Sequence, residues 1–336
     1  MTEVSLKPLV GNTGVDISII IASWNAKDFL AQCLASIYDT IRQFNFEVLV
    51  IDNDSLDGSP ELVEARFPQV KLIRTGMNVG FAKANNIGMK ESRGRYLCLV
   101  NSDIKLLSGG VDVMVSYMED HPEVGMVGPR VLNPDLSLQR SYEDCPTYWS
   151  ALCRALALDT VFPRSKLFGG CDTLFTEDLS PRRIDVLRGC FWVVSRQAVC
   201  EVGLLDESFF IYDEDTDWCQ RFALAGWKVM YIPEAQVIHY EGGSSSNAPI
   251  RLYIQLRQST FVYWKKHHGR YGVTYIYLVT ILHEVIRVIR STALIPILNS
   301  GREQFKRKAI RSFVCILWLI RFPGYKKLND YSARPL

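Results

Sequence analysis

Short β-branched runs alternate along the first hundred residues with segments of helical period. Residues 16–25, DISIIIASWN, are a continuous apolar run that closes on polar residues, which predicts a buried strand. Residues 27–41 then place Phe29, Leu30, Leu34, Ile37 and Ile41 at helical spacing. FEVLVIDNDSLDGS (46–59) predicts a second strand ending in a polar turn, and PELVEARF (60–67) a short helix opened by Pro60. VKLIRT (70–75), GFAKANNIGMKES (80–92) and GRYLCLVNSDI (94–104) continue as strand, helix and strand. Such alternation predicts an α/β fold with a mostly parallel, Rossmann-like sheet and helices on both faces. In sheets of this kind ligands bind beyond the carboxyl ends of the strands. The polar clusters SWN, DNDS and NSD all fall there.

The pattern loosens after residue 130. Residues 133–182 are rich in Pro, Gly, Ser and Arg without clear period, an excursion expected to cover the sheet. A strand leading into a helix is predicted over 182–199. From 250 onward the period is helical, and 302–321 puts Phe305, Ile310, Phe313, Leu317 and Ile320 roughly on one face, away from Lys306, Lys308 and Arg311. The longest uncharged apolar stretch there, GVTYIYLVTIL, falls short of the roughly 20 residues that cross a bilayer. The expected division is a leader (1–15), two halves of one domain (16–130 and 131–248), and a helical basic extension (249–336).

Charge sharpens that division. The net +2 conceals 16 Lys/Arg against 3 Asp/Glu in 250–336, a net of +13, while the rest carries 22 against 33, a net of −11. A basic extension on an acidic body calls for a polyanionic partner. Its cations alternate with bulky aliphatics and match no nucleic-acid motif, so an anionic membrane surface is expected and nucleic acid is not. Nine scattered cysteines without a CxxC pair, and an N-terminus without a signal-peptide pattern, fit reduced thiols in the cytoplasm.

The strand-end residues suggest chemistry. Asp52 and Asp54 at one end, Asn78, Asn85 and Asn86 at the next, and Asp103 at the fourth suit a nucleoside, because carboxylates accept from ribose hydroxyls and base N–H groups. Asp103 is also a hard oxygen ligand of the kind Mg²⁺ or Mn²⁺ prefers. FIYDEDTDWC concentrates Asp213, Glu214, Asp215 and Asp217 in five positions at a predicted helix start. Helix N-termini favour negative charge, so capping alone accounts for some of the four.

Seven motifs in order, SWN, VIDNDSLDGS, NVGFAKANNIG, LVNSD, RGCFWVVSR, GLLDESFFIYDEDTDWCQRFALAGW and VIHYEGGSS, resemble the family 2 glycosyltransferases, inverting enzymes with the GT-A fold. The resemblance covers roughly residues 16–245 and looks closest to the rhamnosyltransferase-type branch, which builds surface polysaccharides. It implies nucleotide binding by Asp52 with Ser23, Asn25, Asn78 and Asn85, and by Ser102 on the ribose side. It implies Asp103 as ligand to Mg²⁺ or Mn²⁺, with His239 as a second ligand. NSD stands where many relatives have DxD, so one carboxylate is missing. Asp215 matches the general base, while Glu214, Asp217, Arg188 and Trp192 match base-positioning or acceptor-facing residues; Trp192 equally suits a core. The implied function is transfer of a sugar, L-rhamnose from dTDP-rhamnose, to a lipid-linked saccharide at the inner face of the cell membrane. A UDP-sugar donor, or a membrane-bound nucleotide-sugar-binding module without turnover, are the alternatives. A homodimer stays open.

Overall fold

A computed structural model describes residues 6, 14–162, 165, 167–168, 180–240, 249–294 and 302–321. Most of the expected leader, the EGGSS part of the last motif and the tail from 322 lie outside those residues. The chain divides into two compact units, Met1–Cys145 with Glu177–Asn247, and Pro146–Thr176 with Ala248–Leu336.

The first unit begins with β1 (Ile17–Ser23), β2 (Phe46–Asp52), β3 (Lys71–Arg74) and β4 (Tyr96–Asn101), linked by helices α1 (Lys27–Thr40), α2 (Ser59–Arg66) and α3 (Phe81–Glu91). β1 pairs in parallel with both β2 and β4, and β2 with β3. Ile17, Ile19, Ile20 and Ile21 are all fully buried. A strand covered on both faces cannot alternate apolar and polar residues, hence the unbroken run. Leu30, Cys33, Leu34 and Ile37 on α1 seal that layer.

The second half of the sheet mixes directions. It comprises β5 (Ile104–Leu106), α4 (Gly110–Asp120), β6 (Val124–Leu132) and β7 (Tyr142–Glu143). After α5 (Tyr148–Ala155) and α6 (Leu158–Val161), which belong to the second unit, follow β8 (Arg182–Arg183), β9 (Val186–Leu187) and β10 (Phe191–Ser195). Then come α7 (Arg196–Val202), α8 (Glu214–Leu224) and β11 (Lys228–His239). Among the described residues the main sheet runs β3-β2-β1-β4-β10-β6-β11-β5, with β8 beside β11. β10 lies antiparallel between β4 and β6, so the chain re-enters the sheet's middle from its ligand-binding end. β7 and β9 form a separate short pair. The stretch expected as a sheet-covering excursion is split, because 146–176 groups with the C-terminal helices.

The second unit consists of α5, α6, α9 (Pro249–Leu294) and α10 (Arg302–Arg321) among its described residues. Gly269, at φ 65° and ψ −159°, breaks α9 into two segments. Tyr263 and Trp264 are buried, Trp264 against Tyr148 of α5. α10 packs through Ala309, Ser312, Cys315 and Leu319. Ile310, Phe313, Leu317 and Ile320 of the expected stripe are exposed, with Phe305 partly covered. One expectation is corrected. α9 contains an 18-residue window of mean hydropathy 1.5, so by length and composition it can cross a membrane. Counting only uncharged residues ends the stretch before Glu284, whereas the helical segment after Gly269 continues past Glu284 to Leu294.

Candidate active site

Three groups of side chains meet at the carboxyl ends of β1, β2 and β4. In the first, register sets Ser23 directly opposite Asp52. Both are buried, and Ser23 Oγ and Asp52 Oδ1 lack any hydrogen-bond partner. Buried polar atoms are almost always paired, and leaving one unpaired costs about 1–3 kcal/mol, so two together mark a place for ligand donors. Asp52 Oδ2 accepts from the Ser55 N–H at 3.2 Å. Asn25, at φ 49°, laces the two strand-end loops together. Its Oδ1 accepts from Leu56 N–H at 2.8 Å and its own N–H donates to Ser55 Oγ at 2.9 Å.

The asparagines of NVGFAKANN divide in role. Asn78 Oδ1 accepts from Gly80 N–H at 3.0 Å and shapes the turn into α3. Asn85 is buried, its amide donating to Phe81 O at 3.0 Å, and Asn86 bonds the Leu205 backbone. Gly80 is required by both conformation and space. Its φ is 87°, and a Cβ there would lie 2.5 Å from Phe210 O, which accepts from Phe81 N–H at 2.7 Å. The start of α3 is thereby stitched to the segment that precedes the acidic helix.

The second group centres on Asp103. β11 pairs with β5 so that His239 faces Ile104, bringing His239 Nε2 to 3.3 Å from Asp103 Oδ1. His239 Nδ1 is 2.8 Å from Gln139 Oε1, which leaves Nε2 directed at the carboxylate. Ser102 is buried alongside. No cluster of three or more His, Cys, Asp or Glu with metal-holding geometry occurs among the described residues. A hard oxygen and an imidazole nitrogen within one coordination sphere nevertheless fit a divalent cation that completes its shell with water and substrate phosphate.

The third group is the N-terminus of α8. Tyr212 and Asp213 both have positive φ, 71° and 61°, a costly geometry for residues with side chains and one that clusters at functional sites. It turns the chain so that Asp215 is only partly covered, while Glu214 and Asp217 point into the protein. Asp215 Oδ1 accepts from Thr216 N–H at 2.8 Å and Oδ2 from Gly189 N–H at 3.1 Å. Burial, and then the charge of Glu143, hold its carboxyl above the usual range despite those bonds. Glu214 is pushed well above that range by burial and by Asp215, and its Oε2 has no partner.

Asp217 and Trp192 take structural places. Asp217 is wholly buried, and its Oδ2 accepts from Arg221 Nε at 2.8 Å. Arg221 in turn donates to Val202 O and Leu204 O, tying α8 to the loop after α7. Asp217→Ala would leave a largely buried guanidinium uncompensated, and a loss of about 3–5 kcal/mol in denaturant unfolding is expected. Nucleotide affinity should persist while the protein is folded; an unchanged midpoint would show that the pair carries no stability. Trp192 is fully buried, edge-on to Phe81 and tilted against Trp218, a place that suits the core reading the sequence also allowed. Arg188 is half-buried, 3.8 Å from Glu143.

Cys190 joins the last two groups. Its carbonyl accepts from Asn101 N–H, two residues before Asp103, while the preceding Gly189 holds Asp215. Gln139, Glu143 and Gly189 were missed from sequence. The first two lie where periodicity fails, and Gly189 acts through a backbone N–H that any residue carries.

Residues 18–180 match the family model described as Glycosyl transferase family 2. An N-acetylglucosaminyl-diphospho-decaprenol L-rhamnosyltransferase of Mycobacterium tuberculosis is 29% identical over 66% of this chain and 75% of that protein. The dTDP-rhamnosyl transferase RfbF of Shigella flexneri is 25% identical over 82% of this chain and 88% of that protein. Among solved structures, the mannosyltransferase PcManGT from Pyrobaculum calidifontis, in complex with GDP-Man and Mn²⁺, superposes with a TM-score of 0.53 at 14% identity. That match covers 93% of this chain and 91% of the other. GalNAc-T7 with UDP, GalNAc and Mn²⁺ gives 0.51 at 15% identity; the match covers 76% of this chain but only 52% of that one. At such identities the structural likeness shows the fold, which is of the GT-A type.

Proposed function

From a chain that carries a glycosyltransferase family 2 domain and is a glycosyltransferase, we propose an inverting transfer of L-rhamnose from dTDP-rhamnose to a hydroxyl of a lipid-linked saccharide, in the synthesis of a surface polysaccharide. The observation that carries this reading is the pair of unpartnered buried acceptors, Ser23 Oγ and Asp52 Oδ1, at the ends of β1 and β2, in the sheet whose β4 runs on to Asp103. Asp52 would accept from the single ring N–H of thymine with Ser23 beside it, and Ser102 would face the deoxyribose. Asp103 and His239 would hold Mg²⁺ or Mn²⁺, which neutralises charge on the diphosphate leaving group.

The chemical step falls to Asp215. It takes the proton of the acceptor hydroxyl as that oxygen bonds the anomeric carbon and the bond to the nucleoside diphosphate breaks. Two backbone N–H groups fix its orientation, and its raised proton affinity makes it a better base than a solvated aspartate. Arg188, half-buried beside Glu143, offers a guanidinium to the departing diphosphate or the acceptor.

A thermal-shift screen of dTDP-, UDP- and GDP-sugars with Mn²⁺ tests the donor. A ligand at a hundred times its Kd stabilises the folded state by about 2.7 kcal/mol, so dTDP-rhamnose should give the largest shift. A larger shift with a UDP-sugar would assign that donor instead, and binding without product would leave a module that has lost turnover.

The same reading puts the second unit against the inner leaflet of the cell membrane. The net +13 of residues 250–336 and the exposed stripe of Ile310, Phe313, Leu317 and Ile320 support this. Each Lys or Arg near an anionic surface contributes about 1 kcal/mol, screened within roughly 10 Å at 0.1 M salt. Replacing Lys306 and Arg307 by Glu should therefore weaken sedimentation with anionic vesicles and leave hydrolysis of soluble donor unchanged. Salt-insensitive vesicle binding would mean that apolar insertion, not charge, holds the protein.

A further inference from the structure

The second unit contains a pocket of roughly 190 Å³ walled by α5, α6, the later part of α9 and the start of α10. Its ionisable lining is Arg154, Asp159, His283, Arg287, Arg290 and Lys308. Four of these are cations at neutral pH. Asp159 is the lone carboxylate among them, and its Oδ1 accepts from the N–H and hydroxyl of Thr160, at 2.8 and 3.4 Å. Arg154, Arg290 and Lys308 form no ion pair among the described residues.

The carboxylate behind the pocket is Glu284, ion-paired with Arg257 and with its Oε2 unpartnered. Glu284 Oε1 accepts from Tyr253 hydroxyl at 2.5 Å and from Arg257 at 2.9 and 3.1 Å. Around the Tyr253 ring stand Arg257, Arg311 and Arg287, with guanidinium carbons 4.9, 4.4 and 5.4 Å from its centroid. Arg287 Nη1 donates to the Tyr253 hydroxyl at 3.1 Å, and Arg287 forms no ion pair among the described residues. Burial, then Arg257, pushes His283 below its ordinary range, so the ring adds a neutral polar group rather than a fifth cation.

Cations gathered around a concavity repel one another unless an anion sits between them. Guanidinium forks match the oxygens of a phosphate, which can accept from several donors at once. The neighbouring residues Ile289 and Ile310 are exposed and apolar, a setting suited to a phosphate that carries hydrocarbon. We propose that this pocket binds the phosphate of an anionic lipid head group. The site deepens the leaflet reading given above and rests on it for the source of the phosphate.

The test uses the full chain with EDTA present and vesicles of phosphatidylcholine containing either phosphatidic acid or phosphatidylglycerol at matched surface charge. Wild type should prefer phosphatidic acid. Arg154→Gln and Arg290→Gln remove no side-chain hydrogen bond or ion pair among the described residues, and each should lower that affinity roughly tenfold, the factor one charge-assisted hydrogen bond carries. Neither should weaken phosphatidylglycerol binding more than Lys306→Gln, a change of equal charge outside the pocket. Equal losses from all three variants would overturn the site in favour of diffuse attraction. If no vesicle is bound, the leaflet reading fails, and titration with inorganic pyrophosphate judges the pocket alone. Pyrophosphate binding abolished by the two arginine variants would assign a free anion and overturn the lipid.

Discussion

Asp215→Asn is expected to lower turnover by roughly 10²–10⁴-fold while leaving donor affinity nearly intact, since it removes the proton acceptor and little else. The substitution has a second, smaller effect. Both carboxylate oxygens accept backbone N–H bonds, from Thr216 and Gly189, and an amide offers one oxygen where two are needed. The NH₂ then faces an N–H, at a cost of about 1–3 kcal/mol. Turnover and unfolding should therefore be measured together, below the variant's transition. A folded variant with near-normal turnover at saturating acceptor would remove Asp215 from the mechanism. Glu214 would be the next candidate, although it is buried and holds its proton tightly.

Asp103→Ala should eliminate the gain in nucleotide-diphosphate affinity that Mn²⁺ provides, because the diphosphate loses its cation bridge. His239→Ala should reduce that gain less. Gln139→Ala, which frees the imidazole that Gln139 orients, should weaken metal affinity by roughly 10–100-fold. The measurement is nucleotide affinity with and without metal for each variant. An Asp103 variant that keeps the full metal-dependent gain would sink the assignment. The absence of a second carboxylate from NSD makes the contrast sharp, since few protein groups remain to compensate.

The parts of this fold that follow from local pattern could be read in advance. β1, β2 and β4 are buried on both faces and so announce themselves as apolar runs, and the polar residues that end them fall where ligands bind. Pairing direction is different. Nothing in FWVVS distinguishes a strand that runs antiparallel between β4 and β6 from one that runs parallel, because the partners lie elsewhere in the chain. The same limit governs the site. Asp103 and His239 were each identifiable, but their 3.3 Å approach depends on the β5–β11 register. The four carboxylates of DEDTD were visible as a group, yet only the turn at Tyr212 and Asp213 sorts them. It leaves Asp215 partly covered, Glu214 enclosed and Asp217 bound to Arg221.

That sorting sets two neighbours at odds over acidity. Asp215 must shed its proton to work, so turnover should climb as the medium becomes more alkaline through its raised pKa. Glu214 must keep its proton to remain comfortably enclosed. Its folded-state pKa lies above the unfolded value, so the native chain binds that proton more tightly, and stability declines as pH rises from the ordinary glutamate range toward the folded one. Speed and durability therefore run in opposite directions along the pH axis, and the working optimum is a compromise written into two consecutive residues. Glu214→Gln would loosen it, reducing the alkaline loss of stability to the part that Asp215's own raised pKa contributes, while leaving the alkaline rise in rate to Asp215.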